Sequence, residues 1–223
     1  MRLFLLFTAL SLSSFGWSND NENTLIILSL DGFRYDYPNQ SVDGGFSKIA
    51  KEGLRADYLT PVYQSSTFPT HVSMATGVSP IKHGILHNGF FDRKKGSFSY
   101  DPDANWIEVA PLWILAEQQG IKAATYFWVG AETDWNGTSI SYSKAPFNGR
   151  VTEKEKISQI LSWMDMPEGQ RPRLIMSWWH GTDSIAHELG PNHKSVKNQI
   201  YKQDKLLLSL IHQIEERKLW NKT

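Results

Sequence analysis

The sequence predicts an α/β fold, a mostly parallel sheet with helices on both faces, and three observations carry that expectation. Continuous apolar runs of the kind that fill strands buried on both faces recur at residues 24–30, 121–128 and 173–179. Segments with helical spacing stand between and after them. Three polar stretches, at Asp31, around Thr67 and from His180 to His187, each follow an expected strand end, which is where open α/β sheets collect their ligands.

In chain order, Thr24-Leu-Ile-Ile-Leu-Ser-Leu30 stops at Asp31-Gly32, so the first strand puts Asp31 at its C-terminal tip. Residues 46–53 have the pattern of a short helix closed by glycine, and residues 54–63 read as a second strand leading into the Thr67 loop. A helix follows over residues 69–76, with Pro69 in its first turn and Gly77 just past its end. Residues 84–100 are rich in Gly, Asn, Asp and aromatics without a clear period, which reads as a long loop or hairpin. A helix over 108–119 closed by Gly120 precedes the strand at 121–128, and a Gly/Asn/Ser-rich loop occupies 130–149. Thr152 and Glu155 have capping-box spacing and start a helix that runs to Met164. After the strand at 173–179, residues 195–217 form a long amphipathic helix with Ile200, Leu207, Leu208, Ile211 and Ile214 on its apolar side. That helix is expected to feed a further strand, and none follows before Thr223.

The 223 residues, 40% hydrophobic and 21% charged, suit an ordinary globular domain, assigned to residues 19–223. Lys plus Arg and Asp plus Glu both count 23, so the overall balance gives no argument for binding a nucleic-acid duplex. Phosphate recognition has to be local. Met1-Arg2, the apolar run from Leu3 to Phe15, and the small residues Ser14, Gly16 and Ser18 have the layout of a signal peptide, assigned to residues 1–18. That run is shorter than the ~20 residues a membrane span needs, and no later segment is apolar enough, so no stable span is expected. The expected location is secreted or periplasmic, and the absence of cysteine fits a periplasm better than a disulfide-rich ectodomain. Oligomeric state is not legible.

A threonine at a helix start faces free backbone N–H groups and a dipole that favours a phosphate oxyanion. A hydroxyl placed there, with carboxylate and imidazole from other strand ends, is what metal-assisted phosphoryl transfer requires. Asp183 and His187 are four apart, so on a helix they share one face and can grip one cation. Each feature has a plain alternative: Asp31-Gly32 is ordinary turn chemistry, Thr67 can be a helix cap, and Asp-x-x-x-His can be a surface pair.

Together these motifs resemble a known family. Asp31-Gly-Phe, Thr67-Phe-Pro-x-His, Thr76-Gly-x-x-Pro-x-x-His-Gly-Ile-Leu-His-Asn88, Phe127-Trp128 and Asp183-x-x-x-His187-x-x-Gly-Pro are similar, in order and spacing, to the nucleotide pyrophosphatase/phosphodiesterase family of the alkaline phosphatase superfamily. The likeness runs from Thr24 to the C-terminus. It implies an alkaline-phosphatase-like fold and hydrolysis of a small-molecule phosphodiester or pyrophosphate, of nucleotide type, through a phosphothreonine. It further implies two divalent metal ions, zinc, with Asp31 and Thr67 in one site and Asp183 and His187 in the other. By the same resemblance Thr67 is the nucleophile, Asn88 holds a phosphoryl oxygen together with a backbone N–H near Thr67, and Phe68 and Trp178 line the pocket for the leaving group or base. Core packing is an equal alternative for Trp178 and its neighbour Trp179, which a strand would turn to opposite faces.

Two departures stand out. Thr70 occupies a position where many members have Asn. The family's Asp-His pair on the next strand and a later His ligand have no counterpart before Thr223, so the fold is expected to lack its C-terminal part and each metal keeps two family ligands, where catalytic zinc takes about three from protein. His71, His83, His87, His180, His193 and His212 read as structural or surface residues, not substitutes. Two rival expectations follow: a truncated relative without catalysis, and a phosphonate or phosphomonoester hydrolase of the same superfamily.

Overall fold

The structure, a computed structural model, describes residues 23–223; the expected signal peptide lies outside them. One parallel sheet contains β1 (Leu25–Leu30), β4 (Ala123–Tyr126), β5 (Tyr142–Lys144) and β6 (Leu174–Trp179), in the order β1-β6-β4-β5. The antiparallel pair β2 (Gly89–Asp92) and β3 (Gly96–Ser99) makes a separate hairpin within the glycine-rich stretch. The helices are α1 (Gly45–Glu52), α2 (Thr67–Thr76), α3 (Pro80–His83), α4 (Leu112–Gln118), α5 (Glu153–Met164), α6 (Gly181–Leu189) and α7 (Lys194–Glu216). Among the described residues no helix is long and apolar enough to cross a membrane.

Both faces of the sheet are covered because the central strand β6 is apolar on both. Ile175 and Trp179 pack with Ile157, Ile160 and Leu161 of α5 and with Leu210 and Ile214 of α7. On the opposite face Leu174 and Met176 meet Trp113 and Ile114 of α4 and Ala75 of α2. Burying side chains of this size contributes roughly 1.5–3 kcal/mol each, so the two helix layers are held chiefly by this strand. The capping box forms as its spacing requires, with Glu155 N–H donating to Thr152 Oγ1 and Thr152 N–H donating to Glu155 at 2.7 Å.

Four local expectations are corrected. Residues 54–63 form no strand: Leu54, Tyr58, Leu59 and Tyr63 are exposed, and no described strand pairs with this stretch, which also contains Pro61 with no N–H to offer. The strand at 24–30 is not buried on both faces. It lies at the edge of the described sheet with Leu25 exposed. The loop at 130–149 contains β5, three residues long and too short to show a period. The start of α2 lies two residues earlier than the proline implied, with Ser66 as the cap residue and Thr67 as the first helical residue. Thr67 is therefore not the cap, and its hydroxyl is free for other work.

A buried polar layer fixes the C-terminal end of β6. Lys156 of α5, fully buried, donates from Nζ to the Trp178 carbonyl at 2.7 Å and to His180 Nδ1 at 3.2 Å. Beside it the Glu153 carboxylate accepts from Gln199 and Gln203 of α7, and Gln203 accepts from Thr182 Oγ1 at 2.6 Å. These bonds seat the first turn of α6 against α5 and α7. Burial holds the Lys156 pKa down to about 8 from its ordinary 10.5, against the raising effect of Glu153. The folded state thus binds fewer protons than the unfolded chain between those values, so this contribution to stability is full above about 10.5 and is lost as the pH falls through about 8. The cost at pH 7 is on the order of 3 kcal/mol. In urea unfolding, wild type is expected to gain on Lys156→Met as the pH rises from 7 to 10; a difference independent of pH would contradict it.

Candidate active site

The five residues marked by the motifs meet along one rim, at the C-terminal ends of β1 and β6. Asp31 immediately follows β1, where its Oδ1 accepts from the Gly32 N–H at 3.1 Å. Its other oxygen, Oδ2, accepts from Thr67 Oγ1 at 3.1 Å, joining the tip of β1 to the first residue of α2. The helix begins there because Ser66 is extended and Pro69, inside the first turn, has no N–H to satisfy.

Asn88 is tied to the same helix start. Its Oδ1 accepts from the Phe68 N–H at 2.9 Å, and its Nδ2 donates to Tyr100 Oη at 3.4 Å. The Phe68 N–H is therefore engaged by Asn88. The Asn88 amide nitrogen, which carries two hydrogens, keeps one beyond its bond to Tyr100. Phe68, half-buried, packs edge-on against Phe98 and Tyr100, at 5.7 and 5.4 Å between ring centres, which seats it on the hairpin side of the rim.

Asp183 and His187 lie on α6 as the spacing requires, with His187 Nε2 3.3 Å from Asp183 Oδ1 and His187 mostly exposed. The Asp31-Gly32 turn rests directly on this helix. Gly32 has φ +63°, and a Cβ there would lie 2.7 Å from the Asp183 Cα, so only glycine permits the approach. Burial raises the Asp183 pKa and the charge of Asp31 raises it further, against the lowering effect of His187. Two carboxylates are thus pressed together, an arrangement that a cation relieves.

The donors fit a divalent metal in kind: carboxylates, an imidazole and a hydroxyl are ligands zinc accepts. They fall short in number, since among the described residues no group of three or more His, Asp or Glu is arranged to hold a metal ion. The other histidines do not fill the gap. His71 and His83 are buried, and His193 caps α7 by accepting from the Ser195 N–H.

Trp178 and Trp179 separate as a strand demands. Trp179 is in the core, while the Trp178 ring packs at 4.8 Å on Phe147 and at 5.8 Å on His180. Phe147 has no place in the sequence expectations, and His180 enters them only as a structural or surface residue. His180 Nε2 lies 3.2 Å from the Gly149 carbonyl, tying the loop that carries Phe147 to the end of β6. Loop residues distant in sequence give no periodic signal, although an Ala145-Pro146-Phe147 turn beside a strand end is the kind of site where one could have been sought.

This fold and rim define a class: an alkaline-phosphatase-like α/β domain with a hydroxyl nucleophile candidate at a helix start. Residues 25–223 match the Type I phosphodiesterase / nucleotide pyrophosphatase family, and the chain belongs to it. It is 32% identical over 209 residues to an uncharacterized pyrophosphatase/phosphodiesterase of Schizosaccharomyces pombe, covering 91% of this chain and 43% of that one. It is 34% identical to ectonucleotide pyrophosphatase/phosphodiesterase family member 3 of Bos taurus, covering 88% of this chain and 23% of the relative. Among solved structures, murine ectonucleotide pyrophosphatase/phosphodiesterase 5, as an inactive threonine-to-alanine variant in complex with AMP, superposes with a TM-score of 0.83 at 28% identity. That match covers 90% of this chain and 54% of the murine one. The chain thus spans from under a quarter to just over half the length of these relatives.

The Gly32 contact yields a direct check. Gly32→Ala is expected to destabilise the fold by at least ~1–2 kcal/mol from backbone strain alone, with the clash against Asp183 adding to it. Chemical denaturation measures this, and an unchanged midpoint would mean the turn does not rest on α6.

Proposed function

We propose that this chain carries the nucleophile of a metal-dependent hydrolase that cleaves phosphodiester or pyrophosphate bonds in small, nucleotide-type substrates through a phosphothreonine. The observation that carries the reading is the placement of Thr67 Oγ1 as the first side chain of α2, donating to Asp31 while Asn88 is locked beside it. Family membership supports the bond type, and AMP on the murine relative supports a nucleotide-sized ligand.

In the proposed reaction the bond from Thr67 Oγ1 to phosphorus forms as the bond from phosphorus to the leaving oxygen breaks. The Oγ1 proton leaves along its hydrogen bond toward Asp31 Oδ2, and the leaving oxygen takes a proton from solvent. Asn88 Nδ2 donates to a phosphoryl oxygen on which charge builds. Water then cleaves the phosphothreonine: its oxygen bonds to phosphorus as the bond to Oγ1 breaks, the proton held at Asp31 returns to Oγ1, one water proton goes to solvent, and the phosphate monoester is released. Asp31 and Thr67 would hold one divalent cation, zinc, and Asp183 and His187 the other. Such cations neutralise charge on the attacking, leaving and phosphoryl oxygens. The helix start adds its own partial positive charge. The name of the ectonucleotide relative supports an exported location, read here as secreted or periplasmic.

A second reading has one observation behind it: with no described group of three metal ligands, this chain by itself binds metal weakly and does not turn over. Zinc titration alongside hydrolysis of a nitrophenyl phosphodiester separates the two. Binding of two zinc ions with turnover supports the hydrolase, and no binding confines it to a longer chain. In an active form, Thr67→Ala is expected to abolish turnover with the fold intact, and near-normal turnover would remove Thr67 from the nucleophile role. A panel of phosphodiester, phosphomonoester and phosphonate substrates fixes the substrate class.

A further inference from the structure

His71 is buried, 3% exposed, and both of its ring nitrogens are engaged. Nδ1 lies 2.8 Å from the carbonyl oxygen of Thr67, one helical turn earlier, and Nε2 lies 2.8 Å from Ser29 Oγ on β1. A carbonyl oxygen only accepts, so Nδ1 carries a hydrogen. The ring is edge-on to Trp128 and Trp178, at 5.4 and 6.0 Å between centres, which leaves it little freedom to turn. Ser29 stands two residues before Asp31. The imidazole therefore spans from the strand that carries the carboxylate to the backbone of the residue that carries the hydroxyl.

We propose that His71 is a positioning residue, a strut with Ser29 that holds the start of α2 against β1 while Thr67 is phosphorylated. This inference rests on the reading of Thr67 as nucleophile. Before attack, two links join β1 to α2 here: Thr67 Oγ1 to Asp31, and Thr67 O through His71 to Ser29. Once Oγ1 is bonded to phosphorus it has no hydrogen to donate, so the first link is gone. The second uses only the Thr67 carbonyl and no reacting atom, and it persists. It keeps Oγ1 in register for the hydrolysis of the intermediate, where misplacement slows the chemistry more than it weakens binding.

The test uses Ser29→Ala, Ser29→Thr and His71→Gln in the full chain, with a nitrophenyl phosphodiester as substrate. Ser29→Ala is expected to lower kcat about five- to tenfold, the effect of one lost hydrogen bond, with KM changed less than about twofold. Ser29→Thr, which keeps the hydroxyl, is expected to restore kcat, and His71→Gln to retain part of it. Independently of turnover, nitrogen-15 NMR of the histidines reads the strut itself. Nδ1 of His71 is expected to be protonated, its Nε2 signal to move in Ser29→Ala, and both to stay in Thr67→Ala. A bare Nδ1, or wild-type kcat in Ser29→Ala, overturns the proposal. If the unaltered chain turns over nothing, the hydrolase reading fails for this chain, and the NMR signature alone decides whether the strut exists.

Discussion

The hydrogen bond from Thr67 Oγ1 to Asp31 Oδ2, 3.1 Å long, is the contact on which the candidate site depends. It joins residues 36 apart in sequence, one at a strand tip and one at a helix start, and every other member of the site is placed relative to it. Asn88 reaches it through the Phe68 N–H, and Asp183 through the Gly32 turn that follows Asp31. The geometry works because β1 and β6 run parallel, with Leu30 beside Trp179. Their C-terminal ends therefore open on the same rim, and a single residue, the cap residue His180, separates β6 from α6.

The rim combines a hydroxyl with two carboxylates that repel, one of them half-buried. Asp183 is pushed toward its neutral form by burial and by Asp31, and the chain as a whole has no excess positive charge to compensate. The buried layer of Lys156, Glu153, Gln199 and Gln203 holds this crowding in place from beneath. Lys156 donates to a carbonyl and an imidazole rather than to Asp31 or Asp183, so its hydrogen bonds tie down the end of β6 and leave the carboxylates to another partner. That division sets a structural cation beside the end of β6 and leaves two mutually repelling acids on the rim. Structural polar layers of this kind are costly unless every member is bonded, and here each named member has a partner.

Much of this was legible in the sequence because it depends on period and punctuation. The β1, β4 and β6 strands, the capped α5 and the amphipathic α7 follow from apolar runs, a capping box and glycine stops. Asp31, Thr67, Asp183 and His187 were likewise readable, since spacing on a helix or at a strand tip fixes where a side chain sits, whereas Asn88, in a loop, was marked only by the family resemblance. What was not legible depends on tertiary contact. The stretch at 54–63 has strand-like residues but no partner strand, and β5 is strand only because β4 lies beside it. The roles of His71, His180 and Lys156 arise from elements that meet only in the folded chain. The engaged Phe68 N–H likewise needs the hairpin loop to bring Asn88 to α2.

The central claim is that the hydroxyl of Thr67 takes the phosphoryl group. Rapid acid quenching of the protein during exposure to a zinc-supplied phosphodiester, followed by peptide mass spectrometry, tests it most directly. A phosphorylated peptide whose modification maps to Thr67 is the predicted result. Product that accumulates with the phosphoryl group on another residue or on none, or no product at all, would contradict the account.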